Sequence, residues 1–146
     1  MARFRKLSDD FYASPQVTPG EMSEAAAMGI ALVVNNRPDG EAPDQPPGAD
    51  IEAAARAAGM DYLAIPVGNA GFSEPQVERL QQALAGASGP VLGFCRSGTR
   101  STLLWSLARA RSGEDPESIA DAAAAVGYDV TPVRPAMDMF AARGRS

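Results

Sequence analysis

Two kinds of stretch follow one another along this chain: short, continuous apolar runs, and longer segments whose apolar residues recur every three or four positions. Ile30-Ala31-Leu32-Val33-Val34 is short, apolar and β-branched, which predicts a buried strand over residues 30–34. Tyr62-Leu63-Ala64-Ile65 and Val91-Leu92-Gly93-Phe94 read the same way. Helical signals separate them. Thr18-Pro19-Gly20-Glu21 opens a helix, with threonine as cap, proline in the first turn and glutamate three residues after the cap, and Gly29 stops it. Asp50 caps a second helix over residues 51–58, ended by Gly59. Ser73-Glu74-Pro75-Gln76 is a capping box for a third that runs to about Ala85 and lines up Val77, Leu80 and Leu84 on one face. A fourth covers residues 100–111 and offers Leu103, Leu104, Trp105 and Leu107 for burial; residues 116–126, stopped by Gly127, and residues 135–142 complete the set. Strands alternating with helices imply parallel pairing. The expected architecture is a three-layer α/β domain with a central, mostly parallel sheet flanked by helices.

Length and composition narrow the chemistry. The 146 residues, 45% apolar and 21% charged, fit one domain spanning residues 1–146. One cysteine and no histidine exclude an intramolecular disulfide, a Cys/His zinc site, a Ser-His-Asp or Cys-His couple and an HExxH helix. No metal and no cofactor is expected. A net charge of −5 has the wrong sign for a surface that courts nucleic acid, although a local basic pocket remains compatible with it. The basic start Met1-Ala2-Arg3-Phe4-Arg5-Lys6 runs into Ser8-Asp9-Asp10 without an apolar stretch, and no segment approaches the ~18–20 apolar residues of a membrane helix. The expectation is a cytoplasmic protein with no membrane or nucleic-acid partner and a reduced thiol.

That thiol sits in a distinctive segment, Cys95-Arg96-Ser97-Gly98-Thr99-Arg100-Ser101, between an apolar strand and a helix. Open α/β sheets bind ligands at the C-terminal ends of such strands. The loop amides converge above the sulfur, the helix N-terminus adds about half a positive charge, and Arg96 and Arg100 follow closely. All three stabilise an anion, so Cys95 is expected as a thiolate in a pocket that also holds an oxyanion such as phosphate, sulfate or thiosulfate. Ser97, Gly98, Thr99 and Ser101 belong to this anion-binding loop, where Gly98 permits a positive φ. Most free cysteines are small buried hydrophobes. Two arginines, a glycine and hydroxyl residues packed behind one apolar strand are hard to explain as core packing.

Residues 35–48 form a loop near the limit of what a compact domain carries without a functional reason. Its first part, Asn35-Asn36-Arg37-Pro38-Asp39-Gly40-Glu41, leaves a central strand and projects to the same edge as Cys95. Arg37 is then placed to hold an incoming anion, and Asp39 or Glu41 to act as an acid. The alternative is a turn with Pro38 and Gly40 in their usual places and Arg37 paired with Asp39 in solvent. Asp44 and Gln45 read as solvated surface. Tyr12, Tyr62 and Tyr128 read as core or strand residues, Trp105 as core or a partner face, and Lys6, the only lysine, offers no Schiff-base argument.

The cysteine loop resembles two families that use a cysteine thiolate. Phosphatases of the tyrosine and dual-specificity kind carry His-Cys, five residues, then Arg-Ser/Thr; rhodanese sulfurtransferases often carry Cys-Arg-x-Gly-x-Arg in a loop one residue shorter. Four residues separate Cys95 from Arg100, the letters match the rhodanese pattern, Ser101 stands at the phosphatase arginine position, and Phe94 replaces the phosphatase histidine. The rest of the chain is similar to the dual-specificity phosphatases: strand 30–34, the Asn-Asn-Arg-Pro-Asp-Gly-Glu loop, Tyr62 to Val67, a helix and the cysteine strand. Together, residues 7–112 resemble the bacterial phosphatase-fold domains found alone or as the N-terminal part of beta-lactamase hydrolase-like proteins, with the helices of 113–146 added. This resemblance implies a cysteine-phosphatase-like fold. Some members are fused to a metal-dependent persulfide dioxygenase, which implies sulfide metabolism and, for a chain without that second domain, such a dioxygenase as partner.

Phosphatases of this layout protonate the leaving oxygen with an aspartate a few residues past the proline of the strand that reads here as Ile65-Pro66-Val67. Gly68 and Asn69 stand there instead, and loss of a general acid removes about 10²–10⁴-fold in rate. The first expectation is therefore a sulfurtransferase: Cys95 takes a sulfane sulfur from a small-molecule donor, Arg100 and the loop amides stabilise it, Arg96 steers the donor, and an external thiol accepts the sulfur. The second is a phosphatase with a phosphocysteine intermediate acting on a phosphoester. The third is a catalytically silent oxyanion- or phosphoprotein-binding module.

Overall fold

The computed structural model describes residues 3–145; Met1, Ala2 and Ser146, which the expected domain and basic N-terminal run include, lie outside the described residues. Five strands, β1 (Arg5–Ser8), β2 (Phe11–Ser14), β3 (Leu32–Asn35), β4 (Asp61–Ala64) and β5 (Val91–Phe94), form one sheet in the order β1-β2-β5-β3-β4. The β1/β2 pair is antiparallel and the other three pairings are parallel, as expected of a mostly parallel sheet. The helices are α1 (Met22–Ala27), α2 (Gly48–Ala57), α3 (Glu74–Gly86), α4 (Thr99–Arg111), α5 (Pro116–Ala125) and α6 (Arg134–Arg145).

Alternation along the strands creates the three layers, because successive side chains point to opposite faces. Phe11, Ala13, Val34 and Val91 join the cluster built with α3, α4, α5 and α6, whereas Val33, Leu92 and Phe94 join α1 and α2 through Met22, Ala25, Ile51 and Ala55. Helix α4 is buried almost all round, so its leucines and Trp105 belong to the core; the Trp105 ring stacks on Phe11 with centroids 6.1 Å apart. Gly93 makes that stack possible, since a Cβ there would lie 2.6 Å from Phe11 Cζ. No helix is long and apolar enough to cross a membrane among the described residues.

The departures from expectation have local causes. The β1–β2 hairpin is additional to the expected strands; β2 inserts beside β5, while β1 is a rim strand whose register shifts between Lys6 and Ser8. Strand β3 starts two residues late because the Ile30 N–H still closes the preceding helix on the Ala25 carbonyl at 3.2 Å. Helix α2 begins at Gly48 and Asp50 is not its cap: the Asp39 carboxylate reaches across the loop and accepts the Gly48 N–H at 2.8 Å. The capping box at Ser73 and Gln76 forms as expected.

Candidate active site

Cys95 leaves β5 at the carboxyl end of the sheet, between the ends of β2 and β3. Backbone bonds from Cys95 N–H to the Ser14 carbonyl (3.3 Å) and from Gln16 N–H to the Arg96 carbonyl (3.2 Å) tie the loop to the chain that continues β2. The sulfur is fully buried and accepts the Gly98 N–H at 3.1 Å. Gly98 caps α4 with φ of 92°, a left-handed turn suited to glycine, and this turn brings its amide to Sγ. The loop is backed by Tyr128, whose hydroxyl donates to the Ser97 carbonyl at 3.1 Å; a Cβ at position 98 would collide with that hydroxyl. Burial pushes the Tyr128 hydroxyl above its ordinary pKa, so it stays protonated and available as a donor.

The second wall is built from three charged groups. Arg100 donates from both terminal nitrogens to the Glu41 carboxylate, at 2.6 and 2.9 Å, and also to the Val67 carbonyl at 2.6 Å. Arg37, nearly buried at 6% exposure, donates to the same Glu41 at 2.9 Å and to Gln16 at 3.0 Å. The Arg100 hydrogen bonds, partly opposed by burial and reinforced by Arg37, lower Glu41 from an ordinary 4.5 to about 2. Arg37, Glu41, Arg96 and Arg100 line a cleft of about 360 Å³ together with Gly68 and Asn69. Arg96 is exposed, and its guanidinium has no bonded partner among the described residues.

The expected site residues therefore divide. Cys95, Arg96, Gly98, Arg100 and Arg37 come together at one edge. Ser97 and Thr99 stand at the mouth of α4, their hydroxyls bonded to each other at 3.0 Å. Ser101 is withdrawn from the anion loop: it is fully buried and donates to Asn36 Oδ1 at 2.7 Å, while Asn36 donates to the Ile65 carbonyl, so the pair braces α4 against the sheet. Asp39 is withdrawn from acid chemistry by its bond to Gly48, and it lines a separate hollow with Tyr62 and Glu52. Arg37 pairs with Glu41 and Gln16, not with Asp39 in solvent. Tyr128, Gln16 and the Val67 carbonyl are supports that no local pattern in the sequence announced.

The triad makes a pH prediction. Glu41 is held ionised more firmly in the folded chain than in the unfolded one, so its contribution is complete above about pH 4.5 and is lost as pH falls from there toward 2. Urea midpoints measured from about pH 6 down to about pH 3 should fall, and Glu41→Gln should flatten that fall while lowering stability near pH 6 by roughly 1 kcal/mol. Parallel pH profiles for the two proteins would show that the pairing is not made in solution.

A mixed sheet flanked by helices, with a cysteine loop feeding the N-terminus of a buried helix, defines a phosphatase-like protein. The fold matches that of a putative phosphatase from Neisseria meningitidis with a TM-score of 0.82 and 35% identity, covering 96% of this chain and 99% of that one. Residues 3–112 match the family described as Beta-lactamase hydrolase-like protein, phosphatase-like domain, and the chain belongs to that family. The Beta-lactamase hydrolase-like protein of Agrobacterium fabrum is 41% identical over 126 residues, which are 86% of this chain and 29% of that protein. The chain spans between 25% and 29% of the length of the curated relatives it matches. A remoter fold likeness, 17% identical with a TM-score of 0.68 and covering 99% of this chain and 91% of the other, is to P. aeruginosa TpbA in complex with pTyr. These findings favour the phosphatase reading over the sulfurtransferase reading put first on the sequence. Tyr128 lies beyond the family-matched residues.

Proposed function

We propose that the protein is a phosphatase-like hydrolase that cleaves phosphomonoesters through a phosphocysteine on Cys95. The observation that carries this reading is the Gly98 amide 3.1 Å from Sγ at the start of α4, beside a cleft lined by Arg37, Arg96 and Arg100. A helix N-terminus and a converging N–H stabilise the anionic sulfur, and the same donors suit the non-bridging oxygens of a phosphoryl group. Arg100 supplies a planar two-pronged fork for those oxygens, and the unpaired Arg96 draws the dianion in. The thiolate attacks phosphorus, the bond to the leaving oxygen breaks, and that oxygen takes a proton. Water then attacks the phosphocysteine, releasing inorganic phosphate and restoring the thiolate. With Gly68 and Asn69 where an acid was expected, esters whose leaving oxygen is a weak base are favoured, aryl phosphates foremost. The fold likeness to a protein bound to pTyr, an aryl phosphate, supports the same substrate class.

Incubation with p-nitrophenyl phosphate should release nitrophenol, and acid quenching should trap one phosphoryl group on Cys95 in the intact mass. Absence of both would sink the reading. The four-residue spacing between Cys95 and Arg100 favours a second one, sulfur transfer, in which attack on thiosulfate expels sulfite, requires no acid, and leaves a persulfide for an external thiol. Under that reading a persulfide dioxygenase is a fitting partner. Thiosulfate would then add one sulfur to Cys95, cyanide would remove it as thiocyanate, and no nitrophenol would appear. Phosphate binding with both assays blank would leave an oxyanion-binding module.

A further inference from the structure

The cleft contains its own anion. Glu41 is the sole carboxylate among its lining residues, and it occupies both prongs of the Arg100 fork while the nucleophile lies fully buried. A phosphoryl group that is to reach Cys95 and use Arg100 must take those prongs, because two anions cannot share one fork. Glu41 is therefore displaced, but it is not lost to solvent: its own backbone N–H is held by the Gln45 side chain at 3.0 Å, and Gln45 in turn donates to the Pro38 carbonyl at 2.9 Å. The displaced carboxyl stays at the wall of the cleft, beside the phosphoryl group it has made way for.

We infer that Glu41 is the proton donor of the reaction, armed by the substrate that displaces it from Arg100. The inference rests on the phosphatase reading above and supplies the acid that positions 68 and 69 lack. Around the displaced Glu41 stand Arg37 on the same loop, Arg100 now bound to phosphate, Arg96 across the cleft and the neutral Asn69. It has lost the Arg100 fork and gained a dianion as neighbour, and both changes favour its neutral form against Arg37, to which it stays bonded, and Arg96 across the cleft. Glu41 takes a proton from solvent as the ester binds. The Sγ–P bond then forms, the P–O bond breaks, and the Glu41 proton passes to the leaving oxygen, so that an alcohol or phenol departs and a carboxylate remains. In the second step this carboxylate accepts a proton from the attacking water, the Sγ–P bond breaks and inorganic phosphate leaves. Glu41 then returns that proton to solvent as it pairs again with Arg100, so atoms and charges balance over the cycle with no further reactant.

The test compares wild type, Glu41→Gln and Glu41→Asp on two esters, 2,4-dinitrophenyl phosphate, whose phenolate leaves unaided, and phenyl phosphate, which needs a proton. A merely structural Glu41, one that only holds Arg37 and Arg100, would lower both rates alike. As proton donor, its replacement by Gln should lower kcat on phenyl phosphate by about 10²-fold more than on the dinitrophenyl ester, and Asp should recover part of that difference. Inorganic phosphate should also inhibit Glu41→Gln at severalfold lower concentration, since the internal competitor has lost its charge. Equal losses on the two esters would overturn the inference while leaving the phosphatase reading intact. A wild-type protein that hydrolyses neither ester would overturn the phosphatase reading and the inference with it.

Discussion

Cys95→Ser is expected to lower kcat on an aryl phosphate by about 10⁴-fold or more while leaving the affinity for inorganic phosphate within a factor of about three. Serine keeps the size of the side chain and still gives the Gly98 N–H an acceptor, so the loop keeps its shape. A hydroxyl is a far weaker acid and a poorer nucleophile than a thiol, the chain has no histidine to take its proton, Asp39 is spent on Gly48, and Glu41 is held by Arg37 and Arg100. Under the proposed reading, binding depends on other groups: the loop amides, the Arg100 fork and Arg96. The variant should therefore retain the ester without turning it over. Nitrophenol release at saturating substrate and calorimetric titration with phosphate measure the two quantities separately. Residual activity within about tenfold of wild type would place the nucleophile elsewhere.

Gly98→Ala should be the most damaging single-methyl change in the site. A side chain at a φ of 92° costs on the order of 1–2 kcal/mol by itself. The new methyl also points at the Tyr128 hydroxyl, which cannot swing away without losing its bond to the Ser97 carbonyl. Together these effects should destabilise the chain by about 2–4 kcal/mol, a fall in Tm of roughly 5–15 °C. Activity should fall further than stability alone requires, because the amide aimed at Cys95 Sγ belongs to the residue that moves. Tyr128→Phe removes the oxygen that the methyl strikes and leaves the backbone cost in place. The double variant should then be more stable than the two single losses predict, a coupling that thermal melts of the four proteins would reveal. Strictly additive losses would mean that Tyr128 does not back the loop.

The core of the sheet was legible because β3, β4 and β5 are continuous apolar runs and the helices between them carry caps and stops. The β1–β2 hairpin was not legible. Its strands have four residues each, and β1 shows Arg5, Lys6 and Ser8 around a single buried Leu7, too short and too polar to register as alternation. The cysteine loop was legible because its chemistry is local, seven residues in a row. Its supports come from far along the chain: Glu41 lies 59 residues before Arg100, and Tyr128 lies 31 residues after Ser97. Nothing in residue spacing shows which of two acids in one loop, Asp39 or Glu41, faces the cleft. The start of α2 decides it, since the first-turn amide of the buried Gly48 captures Asp39 and leaves Glu41 to the arginines. The loop letters and the missing acid at positions 68 and 69 pointed to sulfur transfer; the family and fold matches favour the phosphatase reading.

The two rims of the sheet bear on how the chain behaves in a crowd. On β1 the register slips between Lys6 and Ser8, and Lys6, its ammonium 3.2 Å from the Asp9 carboxylate, brings charge to that rim. At the opposite rim β4 runs for only four residues and begins with the exposed Asp61. Short, irregular and charged margins make poor templates for a further strand. The protein should resist edge-to-edge aggregation at high concentration, and replacing Lys6 with a β-branched apolar residue is the change that would erode that resistance first.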